Sequence, residues 1–314
     1  AISFSHKHDN MSLFLAYIQA VENDRTLDQN DSTDRESYLA HLNVKGVLGG
    51  QFSGYLNWDS NSVAAGTVGD LADDNDIWTF GGRQAGKLAG LDYRGEYYYQ
   101  WGNANGSINT TADVDRSAYM FGLRVGKSFN NVSFKPSVTV WYDYLSGTDD
   151  DDRADGEWSS FNTLWDTGHK FYGLQDLFLG VGGGGGAGTR GLGLQDLAVK
   201  TKINPMAGWT LKTDYHWFWT AEGVAPNTTG RGFANTVATD ANSGGLGNAL
   251  GTELDVTAVT KMNANTKVMI GYSHFDATNS FFALKNGANN RVPSSTFRGS
   301  DDADWAYVQF DVKF

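Results

Sequence analysis

Trp305 to Phe314 reads WAYVQFDVKF, with Ala306, Val308, Phe310 and Val312 apolar at every second position and Tyr307, Gln309, Asp311 and Lys313 between them. A period of two predicts a β-strand with one apolar face. The segment ends on an aromatic residue with no polar tail to blunt a free strand edge, so the edge is expected to be paired by closure of a barrel. The same alternation runs back through the chain. Leu91, Tyr93, Tyr97, Tyr99 and Trp101 share one face, and Asp92, Arg94, Glu96 and Gln100 share the other. Lys135, Ser137, Thr139 and Asp143 oppose Phe134, Val138, Val140, Tyr142 and Tyr144, while Lys212, Asp214 and His216 oppose Leu211, Tyr215, Trp217 and Trp219.

Counted this way, strands are predicted at 1–9, 11–24, 35–48, 51–62, 76–88, 91–103, 116–129, 132–146, 193–204, 208–221, 251–263, 266–279 and 303–314. Most exceed the five or six residues typical of soluble sheets and suit a tilted membrane strand. Tight turns at Asp9-Asn10, Gly49-Gly50, Ala89-Gly90, Asn130-Asn131, Pro205-Met206-Ala207 and Ala264-Asn265 alternate with long polar loops near 25–34, 63–75, 104–115, 147–192, 222–250 and 280–302. Short turns on one rim and long loops on the other are the signature of an outer-membrane barrel. Alternation by itself does not separate that barrel from a soluble sandwich, which points its apolar face inward. The aromatic residues favour the barrel: Tyr97, Tyr99, Trp101, Tyr142, Tyr144, Trp217 and Trp219 cluster at the long-loop ends, where a membrane interface places a girdle.

The expected fold class is therefore all-β, a transmembrane antiparallel β-barrel forming one domain over residues 1–314. Thirteen strands is an odd number, whereas bacterial single-chain barrels have even numbers with both termini on the periplasmic side. Either strands precede Ala1, or Ala1 to Asp9 lies outside a twelve-stranded barrel.

Composition narrows the partners. Net charge is -12, against the dense Lys and Arg that nucleic-acid backbones require, so no nucleic-acid partner is expected. Cys is absent, which excludes disulfides and thiolate metal sites. Mean hydropathy is -0.41 and no run reaches the roughly 18 apolar residues of a spanning helix, yet a barrel exposes only alternate residues to lipid. The acidic runs Asp73, Asp74 and Asp76, Asp149 to Asp152, and Asp301, Asp302 and Asp304 read as solvated loop surface.

With the polar face turned to the lumen, Lys45, Arg83, Arg94, Arg124, Lys135, Lys200, Lys212 and Lys261 line a pore, most of them three to six residues from a short turn. A basic belt selects anions. The competing reading is that these cations neutralise lumenal Asp92, Glu96, Asp143, Asp196, Asp214 and Asp255. Phe161 to Phe178 is too aromatic for a solvated loop and is expected to fold into the barrel mouth, with Gly182 to Gly186 as a hinge rather than a phosphate loop. His169, His216 and His274 form no Ser/His/Asp constellation on one face, and the HKH of His6 to His8 has no further ligand nearby. No catalytic residue, metal or cofactor is expected.

Residues 141–220 and 250–275, including SGTDDDDRADGEWSSFNTLWDTGHKFYGLQDLF, LQDLAVKTKINPMAGWTLKTDYHWF and GTELDVTAVTKMNANTKVMIGYSHF, resemble the alginate export family of outer-membrane porins. TGHKFYG and DYHWF are fairly specific to that family. The resemblance implies an eighteen-stranded barrel, with five strands before Ala1, exporting an anionic uronate polymer through a constriction lined by arginine and lysine. The abundant lumenal acids and the run of five glycines depart from that pattern. The expected function is an outer-membrane porin passing anionic oligosaccharide or polyuronate by diffusion, its partners being lipid and the saccharide. A general diffusion porin is the alternative. Candidate pore-lining residues are Arg83, Arg94, Arg124, Lys135, Lys200, Lys212, Asp92, Glu96 and Asp214.

Overall fold

The computed structural model describes residues 1–21, 35–61, 76–104, 114–164, 171–178, 188–224, 247–286 and 302–313. The strands are β1 (Ile2–His8), β2 (Met11–Val21), β3 (Arg35–Val47), β4 (Gly50–Asn61), β5 (Ile77–Leu88), β6 (Leu91–Asn103), β7 (Asp115–Ser128), β8 (Ser137–Leu145), β9 (Glu157–Trp158), β10 (Leu194–Ile203), β11 (Trp209–Val224), β12 (Gly247–Lys261), β13 (Thr266–Ala277) and β14 (Asp302–Val312). Two short helices, α1 (Asp150–Asp155) and α2 (Asn279–Asn286), interrupt the series. All strands but β9 form one path in which each pairs with the next, β8 joining β10 directly, and the pairings along it are antiparallel. The two-residue β9 instead lies parallel to β7. This is a transmembrane β-barrel fold. Among the described residues β1 and β14 each have one neighbour, and β2 is flanked by β1 and β3. The twelve-stranded alternative, with the first strand outside the barrel, is thereby corrected: Ile2 to His8 pair continuously with Tyr17 to Met11.

Burial settles which face is which. Ser53, Gln100, Asp143, Asp196, His216 and Ser273 are buried, whereas Leu123 is 54%, Val140 49%, Val308 59% and Phe310 61% exposed. A sandwich in water would reverse this arrangement. The apolar face is the outer one and the polar face the inner one, as hydrocarbon around the sheet demands. On the outer face Tyr17, Tyr38, Trp58, Trp78 and Trp101 occupy matched register on β2 to β6. Successive ring centroids lie 5.1, 4.9, 5.2 and 6.0 Å apart. This aromatic ladder runs along the long-loop rim, where rings with polar tips favour the membrane interface.

Turn chemistry accounts for the short rim. Leu48-Gly49 and Ala89-Gly90 place consecutive residues at positive φ, which two-residue hairpins require and glycine tolerates. The first of these lies one residue earlier than the sequence pattern places it, because Gly46 (φ 84) forms a bulge that shifts the register between Lys45 and Val47. The eighth strand begins at Ser137 rather than 132, since Phe134 and Lys135 both have positive φ and precede Pro136. Lys135 therefore sits in a turn. The acidic run at 149–152 also differs from a plain loop. The Asp152 N–H donates to Asp149 Oδ1 at 2.8 Å and the Asp149 N–H to Asp152 Oδ2 at 3.3 Å, the reciprocal bonding of a helix N-terminus, and α1 follows.

Inside the sheet, described parts of the 147–192 connection pack on the inner face. The Asn162 N–H donates to Gln100 Oε1 and the Gln100 amide donates back to Asn162 O, each at 2.8 Å. Gln175 donates its N–H to Glu253 Oε1 at 3.0 Å and its side-chain amide to Ala303 O at 2.9 Å. Phe178 is fully buried against Phe218, with centroids 4.6 Å apart, and against Phe275 at 6.0 Å. The apolar core is thus built between the connection and the strands, on the side of the sheet that is otherwise polar. Gly182 to Gly186, His169, Asp73, Asp74, Asp301 and Phe314 lie outside the described residues.

Lysine placed at Val140 or Val308 should destabilise the barrel by about 2–4 kcal/mol if these positions sit near the bilayer midplane. Urea unfolding in lipid vesicles measures the loss. A change below about 0.5 kcal/mol, ordinary for a water-exposed surface site, would contradict the face assignment.

Candidate functional site

Register brings the inner-face charges into rows that cross the strands. Arg83 stands opposite Glu96, and Arg94 opposite Arg124. Asp143 stands opposite Asp196, Lys200 opposite Asp214, and Asp214 opposite Asp255. Like charges facing each other across strands repel, so their side chains must find partners diagonally. They do. Arg94 Nη2 lies 2.6 Å from Glu96 Oε2, while Arg124 bridges two carboxylates, reaching Glu96 Oε1 at 2.8 Å and Asp143 Oδ2 at 2.9 Å. Gly122 faces both acids, and a Cβ there would lie 2.5 Å from Asp143 Oδ1 and 3.1 Å from Glu96 Oε1. Its missing side chain leaves the space in which the two carboxylates approach one guanidinium.

Aromatic rings complete the enclosure of Arg124. Its guanidinium carbon lies 3.4 Å from the Trp141 ring centroid, a cation–π contact, and 5.8 Å from that of Phe171 on the inward-packed connection. Arg94 is less covered, its side chain 26% exposed against 8% for Arg124. A cavity of about 280 Å³ opens between them and the connection, lined by Arg94, Glu96, Arg124, Phe161, Phe171 and Tyr172.

A second cluster lies on β10 to β13. His216, fully buried, places Nδ1 2.8 Å from Asp196 Oδ1. Nε2 lies 3.1 Å from Lys200 Nζ, which also donates to Asp214 Oδ2 at 2.9 Å. Asp255 accepts from Ser273 Oγ. The arrangement alternates donors and acceptors from β10 to β13 and holds the histidine between two acids and a lysine. It has the form of a structural charge network.

The candidate pore residues therefore divide. Arg94, Glu96 and Arg124 meet in one network, and Lys200 and Asp214 in the other. Arg83 lies half-buried on the inner face opposite Glu96 and Ser53. Asp92 pairs with exposed Lys87 at 3.0 Å near the short rim. Lys212 is exposed opposite Lys202 with no ion pair among the described residues, and Lys135 occupies its turn, away from the arginines. The single belt of cations at one depth is not what these positions form. Pattern reading placed Asp143, Asp196 and His216 on the inner face but did not select them, and it passed over Trp141, Phe171 and Glu253. Trp141 alternates with Asp143 and so shares its face; that was the available signal. Among the described residues no group of three or more His, Asp or Glu side chains is arranged to hold a metal ion.

An antiparallel sheet with an apolar exterior, short turns on one rim and a charged interior crossed by an inward-packed connection defines a membrane β-barrel. Residues 18–294 match the protein-family model described as alginate export, and the chain belongs to that family. A search of curated proteins gives no match. The family is one of transport and not of enzymes.

Arg124→Ala leaves Asp143 buried without its guanidinium partner and should destabilise by about 3–5 kcal/mol. Arg94→Ala should cost about 1 kcal/mol or less, because water reaches its side chain and Glu96 keeps Arg124. Urea midpoints of the two variants in vesicles compare them. Equal losses would overturn the division of roles.

Proposed function

We propose that the chain is an outer-membrane porin through which anionic oligosaccharide or polyuronate diffuses passively. The reading rests on its membership of the alginate export family together with the half-exposed Arg94 beside the lumenal cavity. The short turns face the periplasm, and the 147–192 connection is an extracellular loop folded into the mouth, where Phe161, Phe171 and Tyr172 narrow the passage. At that narrowing Arg94 and Arg83 attract carboxylates, since charge interactions strengthen where water is partly excluded. Arg is suited to hold a carboxylate through two parallel bonds. Glu96 and Asp214 keep any one cation from holding the solute, because each already occupies a neighbouring cation; conduction requires that binding be weak enough to release.

A specific observation favours the general diffusion porin as second reading: Arg124 and Lys200 are neutralised by acids within 3 Å, which lowers the net positive field in the lumen. Reversal potentials across planar bilayers in a salt gradient, with and without added oligouronate, decide between them. The unmodified pore should prefer anions and be blocked by the sugar acid. Arg94→Ala should lower the anion preference about two- to fivefold, the scale of one partly screened charge interaction, and Asp214→Ala should raise it. Cation selectivity with no block would sink the polyuronate reading and leave the general porin.

A further inference from the structure

Residues 171–178 of the connection between β8 and β10 touch the wall of the barrel at three places. Phe178 is the anchor: its ring packs on Phe218 at 4.6 Å, on Phe275 at 6.0 Å and on Phe281 of α2 at 6.1 Å. At the other end Phe171 meets Trp141 on β8, with centroids 5.8 Å apart, and lines the cavity beside Arg94 together with Tyr172. Between the two, Gln175 donates its N–H to Glu253 Oε1 on β12 at 3.0 Å and its side-chain amide to Ala303 O on β14 at 2.9 Å. The segment thus spans the inner face from β8 to β14.

Glu253 is an unusual partner for a backbone N–H. It is fully buried and makes no ion pair among the described residues. A carboxylate held out of water without a cation is costly unless N–H groups solvate it. The connection is shaped to do so. Gly173 is left-handed at φ 81, and a Cβ there would stand 2.4 Å from Glu253 Oε2 and 2.6 Å from Oε1. Glycine alone lets the chain turn this close, and turns of this kind aim backbone N–H groups at an anion. An apolar side chain at position 253 would pack at lower cost. What the carboxylate adds is a fixed place for Gln175. Phe171 lies four residues from Gln175 and seven from Phe178, so an extended chain carries it roughly 14 Å from the first and roughly 25 Å from the second. The Glu253 bond therefore nearly halves the travel that the Phe178 anchor permits.

We propose that Glu253 is a positioning residue for selectivity: by binding the backbone at Gln175, against Gly173, it holds Phe171 and Tyr172 over the cavity beside Arg94 and sets the width of the passage without touching the solute. The inference rests on the reading of the chain as a porin narrowed by this connection. Charge follows width, because Phe171 also faces Arg124, its ring centroid 5.8 Å from the guanidinium carbon. Release of the segment uncovers Arg124 and adds a cation to the lumenal surface.

The chain has no cysteine, so Met120→Cys in the cavity wall reports the position of the segment through its rate of modification by a water-soluble maleimide in vesicles. Adding Glu253→Ala should raise that rate at least about tenfold, the shift in a local opening equilibrium expected from losing one hydrogen bond to a carboxylate. Single-channel conductance should rise with it. Glu253→Gln keeps an acceptor oxygen and should return both readouts most of the way to wild type, whereas a role in folding alone would leave the folded fraction labelling and conducting as wild type does. Gly173→Ala, whose Cβ collides with the carboxylate, should release the segment without altering β12 and gives the same test where Glu253→Ala does not fold. Labelling and conductance unchanged in Glu253→Ala and in Gly173→Ala would overturn the positioning role. Cation selectivity with no block by oligouronate, alongside accelerated labelling in these variants, would instead refute the polyuronate reading and leave Glu253 in its role.

Discussion

Hydrocarbon offers no hydrogen-bond partner, so every backbone N–H and C=O within the membrane must be paired by another part of the sheet. That constraint explains why, among the described residues, thirteen strands follow one another in a single antiparallel path, and why all but the seven-residue β1 are long enough to cross on a tilt. It also sets the faces. Side chains that alternate along a paired strand leave one set in lipid, where Val140 and Val308 are at no cost, and one set inside, where Asp143 and His216 find partners. Irregular backbone is confined to the rims or to the inner face, as in the connection that carries Phe171 and Phe178.

Filling the interior with charge raises a second problem, because a partly dry lumen penalises every ion left alone. The chain meets it by diagonal pairing. Arg124 satisfies two carboxylates at once, Gly122 vacates the space in which they converge, and Trp141 covers the remaining face of the guanidinium. The consequence is a division between buried and accessible cations. Arg124 is buried in the wall, whereas Arg94 stays partly exposed beside the cavity.

The inward-packed connection links these two demands. Its aromatic residues build the core with Phe218 and Phe275, and its backbone is held by Gln100 and by Glu253. Phe161 and Tyr172, which belong to that core, also line the cavity beside Arg94. Anchoring of the loop and the shape of that cavity are therefore linked through one group of contacts.

How much of this was legible in the chain follows from the range of each interaction. The period-two pattern located all thirteen strands of the path within a few residues, because alternation is a property of neighbours in sequence. It failed where local backbone chemistry overrode it: at Phe134-Lys135-Pro136, at the Gly46 bulge, and at Asp149, whose capping bonds start a helix in what reads as an acidic loop. The sequence determined the strands, the alternation of faces and the set of inward charges. Alternation alone could not determine which face met solvent, since the same pattern serves a sandwich in water; only the aromatic residues at the long-loop ends favoured the barrel. Nor could it determine that Arg124 is shared by Glu96 and Asp143, from strands 28 and 19 residues away, or that Phe178 lies on Phe275. Those contacts depend on register across strands and on where a long connection returns, and only the tertiary structure fixes both.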